Sequence, residues 1–135
     1  MRYELGVDIL AGNLVWIQGP YPAGKYPDIT IFRMCLAHFL DPYERVEADD
    51  GYVGEAPRLV KCPSCPTNPE ANLAMQGRVR YCHETLNGRL KNWGILQQVY
   101  RHDVEKHGDV LRAVAVITQL EIENGEPLFS VDYSD

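Results

Sequence analysis

No stretch of this chain is long and apolar enough to span a bilayer. The opening residues, MRYELGVDIL, carry Glu4 and Asp8 where a secretory signal needs an uninterrupted apolar core, so no leader is expected there. Internal repeats and low-complexity tracts are missing. Cysteine is scarce: four in 135 residues do not make a disulfide scaffold, and the thiols are expected to be reduced in an intracellular setting. Positive charge is in short supply too. Thirteen Lys and Arg stand against nineteen Asp and Glu, and a net charge of −6 argues against a broad nonspecific nucleic-acid surface on this chain alone. What remains is an ordinary globular composition, 45% hydrophobic and 24% charged, of a size for one domain with a modest core.

The apolar runs YELGVDIL (3–10) and NLVWIQ (13–18) flank AGN, and Gly12-Asn13 suits a tight turn between two antiparallel strands. A loop rich in Pro and Gly follows. Asp28 then precedes ITIFRMCLAHFL, where Phe32, Cys35, Leu36, Phe39 and Leu40 recur at helical spacing, with Asp28 placed as N-cap. RVEA (45–48) reads as a short strand that delivers Asp49 and Asp50 before the turn at Gly51, and APRLVKCP as another. A long helical pattern runs from about Pro69 to about Gln98, with Val79, Leu86, Leu90 and Trp93 on one face and Arg80, Glu84, Asn87 and Lys91 on another. A final helix is expected from Asp109 as N-cap, striped by Val110, Val114, Ile117 and Leu120, and LFSVDY (128–133) as a closing strand or extended tail. The order β-β-α-β-(β)-α-α is a mixed α/β domain with helices packed on a small sheet.

Three acidic positions, Asp28, Asp49 and Glu84, sit at the edges of regular elements next to apolar residues. Carboxylates so placed could hold Mg²⁺ or Mn²⁺, which take oxygen ligands and need only one or two protein carboxylates each. A pair of such ions can clamp a phosphodiester, activating water and stabilising the leaving oxygen. The plainer reading of the same residues is a helix cap at Asp28, turn residues at Asp49 and Asp50, and a solvated helix charge at Glu84.

Three segments bear on this choice: GPYPAGKYPDITIFR, VEADDGYVG and HETLNGRLKNWGILQQVYRHDVEKHGDVLRAVAVITQLEIENGEPLF. Together they resemble the DDE superfamily endonuclease domain, and more narrowly the Harbinger-type transposase nucleases, over residues 3–133. HETLNGRLK is similar to that family's acidic helix signature and DDGY to its Asp-x-Gly-Tyr motif. The resemblance implies an RNase H-like mixed sheet with packed helices and a metal-dependent nuclease or strand-transfer activity on DNA, in the nucleus or cytoplasm. It implies Asp49 and Glu84 as catalytic residues and Asp28, Asp49 and Glu84 as ligands of Mg²⁺ or Mn²⁺, with a shift from Asp49 to Asp50 left open. The family's first catalytic Asp, in an Asp-Gly-Thr-like strand, has no counterpart, since Asp8 lies mid-strand before Ile9 and Leu10. The domain is therefore expected to lack its first strand at the N-terminal side, to be incomplete and weakly active or inactive, and to need a missing N-terminal region or a protein partner. Lys91, Arg80, Arg89, Arg101 and Lys106 are the basic residues that could track a DNA backbone.

Two other readings stand beside it. One is a non-catalytic, domesticated transposase-derived domain that acts through protein contacts. The other is a zinc-stabilised binding module built on Cys62, Cys65 and Cys82; a single C-x-x-C is a weak signal, and adjacent Cys82 and His83 diverge by about 100° on a helix. Cys35, Trp16 and Trp93 are expected in the core. His83, next to Glu84, is expected either to orient that carboxylate or contact phosphate, or to be a surface histidine.

Overall fold

A computed structural model describes residues 1–65 and 70–128. Strands β1 (Arg2–Val7) and β2 (Leu14–Tyr21) form the expected antiparallel hairpin, in a register that sets Glu4 against Gln18, Leu5 against Ile17 and Gly6 against Trp16, but β1 ends at Val7, so Asp8 lies in a loop over 8–13 and not mid-strand. The turn closes through Asp8 N donating to Asn13 O at 2.8 Å and Gly12 N to Asp8 O at 2.8 Å. Gly12 takes φ 72°, a conformation that disfavours a side chain, which is why the Gly-Asn pair marks this turn. At Gly6 the cause is space: a Cβ there would lie 2.9 Å from the Trp16 Cβ.

Helix α1 (Asp28–Met34) begins one residue earlier than a cap at Asp28 requires. Pro27 holds the N-cap position, its carbonyl accepting from Thr30 N at 2.9 Å, and Asp28 is the first helical residue. The helix also stops short of Leu40. Cys35 leaves helical geometry (φ −128°, ψ −85°), and a 3₁₀ turn, Leu36–His38, continues the chain. Cys35 is half-buried rather than a core residue, with its Sγ 3.3 Å from the Tyr21 hydroxyl.

Two short strands, β3 (Val46–Glu47) and β4 (Val60–Lys61), pair in parallel, Val46 with Val60 and Glu47 with Lys61. Between them lies the 3₁₀ turn Asp50–Glu55. The strands thus form two separate two-stranded sheets, one antiparallel and one parallel, among the described residues. Isolated two-stranded sheets are marginal in water, so helix packing must supply most of the stability.

That packing comes from α2 (Glu70–Asn92), α3 (Gly94–Gln97) and α4 (His107–Glu123). The expected single helix to Gln98 breaks at Trp93, whose extended backbone (φ −70°, ψ 113°) separates α2 from α3. Leu86 and Leu90 of α2 meet Val114, Ala115 and Ile122 of α4 in one core cluster, with Val79, Trp93 and the hairpin residues Leu5, Val7, Leu14 and Ile17 packed on it. The second cluster gathers Phe32, Val60, Cys62 and Cys65. Trp16 is half-buried, and its ring packs 5.5 Å from that of Phe39.

Helix α4 is rotated from the expected stripe. Leu111, Val114, Ala115, Thr118 and Ile122 face the core, whereas Ile117 and Leu120 are exposed. Asp109 is not its cap; Asp103 accepts from Glu105 N to open a 3₁₀ turn, Val104–Lys106, that runs into the helix. The expected strand LFSVDY lies outside the described residues beyond Leu128, which is buried. One core feature is costly: the Thr118 hydroxyl is fully buried and has no hydrogen-bond partner. Thr118→Val keeps the shape and removes the unmet polar atom. It is expected to raise stability by about 1 kcal/mol, read as a shifted urea midpoint at unchanged slope.

Candidate functional site

Asp49 and Asp50 owe their places to backbone capping. The end of β3 leads into the 3₁₀ turn, and the Asp49 carboxylate accepts from Gly51 N at 2.8 Å, satisfying a donor that the turn leaves open. A Cβ on residue 51 would lie 2.8 Å from the Asp49 Oδ1, so the capping carboxylate would have to shift to admit one. Asp50 points elsewhere: its Oδ1 accepts from Ser64 N at 2.9 Å, tying the turn to the Cys62–Cys65 loop. Each of the two neighbouring charges thus has a backbone donor of its own.

Asp28 reaches the same neighbourhood from α1. Its carboxylate lies 3.4 Å from the Arg2 guanidinium, which also donates to Tyr26 O at 2.6 Å. Helix α1 is held against the 3₁₀ turn by Arg33, whose Nε meets Glu55 Oε1 at 2.6 Å. The Tyr52 ring is edge-on to Phe32 of α1 at 5.8 Å. Burial raises the pKa of its hydroxyl, and the charges of Glu4, Asp28 and Asp49 raise it further, with Arg2 opposing them. Three carboxylates from β1, α1 and the β3 end therefore act on one phenol.

Glu4 is the member that sequence reasoning missed. It is buried in the hairpin, where Trp16 Nε1 donates to its Oε2 at 3.0 Å and the other oxygen has no partner. Burial lifts its pKa above the usual carboxylate value, the Trp16 bond partly opposes that, and Asp28 adds to the rise. No motif marks such a residue. Its only sequence signal is an acid inside an apolar strand, opposite a partner that the hairpin register alone identifies.

Glu84 is an exposed residue of α2, on a different element from the other acidic groups. Its neighbour His83 turns to the hairpin. His83 Nε2 is 3.1 Å from Leu5 O, and its Nδ1 is 3.2 Å from Asn87 Nδ2. The Leu5 carbonyl can only accept, so Nε2 is the donor in that bond. The histidine is thus a strut between α2 and β1. Among the described residues, no group of three His, Cys, Asp or Glu side chains is gathered closely enough to hold a metal ion. In this arrangement Asp28 is committed to Arg2 and Asp49 to its cap, so Asp28, Asp49 and Glu84 do not form a ready ligand shell.

The thiols are split likewise. Cys62 and Cys65 belong to the second core cluster, and Cys82 to the first, beside Leu86. None of them is in a disulfide. Burial raises the Cys62 thiol, with Asp50 and Cys65 adding to the effect, and burial also raises Cys82, so neither is poised as a thiolate. Of the basic residues, Arg89 is committed to the backbone carbonyls of Glu126 and Pro127. Arg80, Lys91, Arg101 and Lys106 are exposed. No described helix is long and apolar enough to cross a membrane.

The chain matches no protein-family model, no curated protein and no solved structure.

Proposed function

We propose that this chain is a DDE-type endonuclease-like domain whose acidic site is only partly assembled, with Asp28 and Asp49 as its metal-ligand pair. The resemblance places a third ligand at Glu84 and an RNase H-like frame around all three. The observation that carries the reading is that the charges of Asp28 and Asp49, distant in sequence, both act on the Tyr52 hydroxyl, after burial the main causes of its raised pKa together with Glu4. Two carboxylates on rigid elements suffice for one hard cation with water completing the shell. Such an ion would supply Lewis-acid activation of a phosphodiester. The chain's own contribution is to hold the two carboxylates through the Arg33–Glu55 pair and the Gly51 turn. To admit a cation, the site must release Asp28 from Arg2. DNA is the expected substrate, and activity in this chain alone is weak or nil.

Mn²⁺ titration by calorimetry tests this. Asp49→Asn is expected to weaken Mn²⁺ binding by about 10-fold or more, and Arg2→Ala to strengthen it by freeing Asp28. Unchanged Mn²⁺ affinity in Asp49→Asn would sink the metal-site reading.

A second reading is a non-catalytic domain that works through protein contacts. The Arg2–Asp28 ion pair favours it, because it already gives one of the two carboxylates a cationic partner. On this reading Mn²⁺ leaves the thermal midpoint unmoved.

A further inference from the structure

We propose that the outer face of α4 is a docking site for a cationic amphipathic segment of another protein. A helix that is apolar on one stripe buries that stripe and shows a polar back to water. Helix α4 does not follow this pattern. Its inner stripe, Leu111, Val114, Ala115, Thr118 and Ile122, is already buried against α2 and the hairpin. On its outer side Ala113, Val116, Ile117 and Leu120 recur at i, i+3, i+4 and i+7, and all four are exposed. Val116 is 61% exposed, Ile117 42% and Leu120 50%, so the second stripe has no partner within the described fold. Contiguous apolar surface of this kind marks interaction sites more often than isolated exposed residues do.

The charge around this stripe states what would cover it. Ile117 and Leu120 floor a shallow groove of about 350 Å³ whose remaining walls are Glu121, Asn124 and Glu126. The groove lies at the carboxyl end of α4, where the helix dipole is negative and cations are favoured. Here the last turn contains no basic residue, and Glu121 and Glu123 stand in it. Arg89 reaches this end from α2, with its guanidinium bonded to the Glu126 and Pro127 carbonyls. An apolar floor, acidic walls and the negative end of a dipole together fit a segment that offers leucine-like side chains flanked by Lys or Arg. Laying an amphipathic helix into such a groove is a common recognition mode. A second copy of this chain fits poorly. It would bring its own glutamates to the same walls, on a molecule of net charge −6.

Fluorescence anisotropy with the full chain tests the assignment. The probe is a short labelled amphipathic helix of leucine and lysine, and its counterpart carries glutamate for lysine. The lysine peptide is expected to bind saturably and the glutamate peptide not to bind. Leu120→Ser is expected to weaken binding about tenfold, with the circular dichroism spectrum unchanged. Glu121→Gln combined with Glu126→Gln is expected to weaken it about tenfold and flatten its salt dependence, with the thermal midpoint unchanged or raised. A purely structural role for these glutamates would lower that midpoint instead. Equal binding of the two peptides, or affinities within about twofold of the parent in both variants, overturns the proposal. So does a dimer in sedimentation that Leu120→Ser dissociates, which would give the face to a second copy.

Discussion

Truncation of Phe32 to alanine is expected to lower the unfolding free energy by about 3–5 kcal/mol, a large share of what a domain of this size possesses. Phe32 is 1% exposed and is the largest fully buried side chain among the described residues. It sits where α1, β4 and the Cys62–Cys65 loop meet, with Leu36, Leu40, Val46 and Leu59 around it. The parallel pair β3–β4 spans only two residues per strand, so few ladder hydrogen bonds exist to absorb the loss. The ring also backs Tyr52 edge-on, which means that a cavity at 32 leaves one side of the tyrosine unsupported. Two readouts are expected to move together. The urea midpoint falls with little change in slope, and the near-ultraviolet dichroism of the tyrosines weakens before the far-ultraviolet signal does. Phe32→Leu, which keeps most of the volume, is expected to cost about 1–1.5 kcal/mol. A Phe32→Ala variant within about 1 kcal/mol of the parent would show that the second core cluster is not closely packed.

The same cluster explains why some of the fold was legible in the sequence and some was not. The hairpin was readable because two short apolar runs and a Gly-Asn pair between them are local signals. The α2 face of Val79, Leu86, Leu90 and Trp93 was readable because its opposite face is charged, which leaves one choice of apolar stripe. Helix α4 was misread for the converse reason. Ten of the thirteen positions from Val110 to Ile122 are apolar or small, so two stripes satisfy the helical period. The burial of Ala115 and Thr118 in place of Ile117 and Leu120 is decided by α2 and the hairpin. The early end of α1 at Cys35 carries no Gly or Pro at the site of departure, whereas Gly94 directly follows the break at Trp93 and was a local signal for it.

The acidic site divides along the same line. Asp49 before Gly51 was legible as a turn, and it is one. Whether Asp28 lies near it depends on the Arg33–Glu55 pair, a contact between elements that no local pattern encodes. The expected neighbour of Glu84, His83, was free by spacing to turn either way; the Leu5 carbonyl, the acceptor its ring bonds on β1, drew it to the hairpin. Cys82 and the Cys62–Cys65 loop are separated by cluster membership, which spacing cannot report.

Glu4→Gln is expected to stabilise the protein at neutral pH by about 1–2 kcal/mol and to remove part of its pH dependence. Glu4 is a buried carboxyl with one oxygen held by Trp16 Nε1 and the other without a partner. Burial makes its ionised form costly, and the nearby Asp28 charge adds to that cost, so its pKa in the folded state lies above the unfolded value. The sign follows. Below the unfolded value both states carry the proton and the site exacts no penalty. As pH rises through that value the unfolded chain releases its proton first, and stability falls until the folded-state pKa is passed. Glutamine keeps an oxygen for Trp16 and has no charge to bury, so the variant should show no such fall. Thermal midpoints measured at about pH 4 and about pH 7 isolate the effect as a difference between parent and variant, which cancels every other titrating group. The gap should be small at the lower pH and widen at the higher one. A gap of the same size at both would mean that Glu4 ionises in the folded protein as easily as in water, and neither its burial nor the nearby Asp28 charge would then oppose its ionisation.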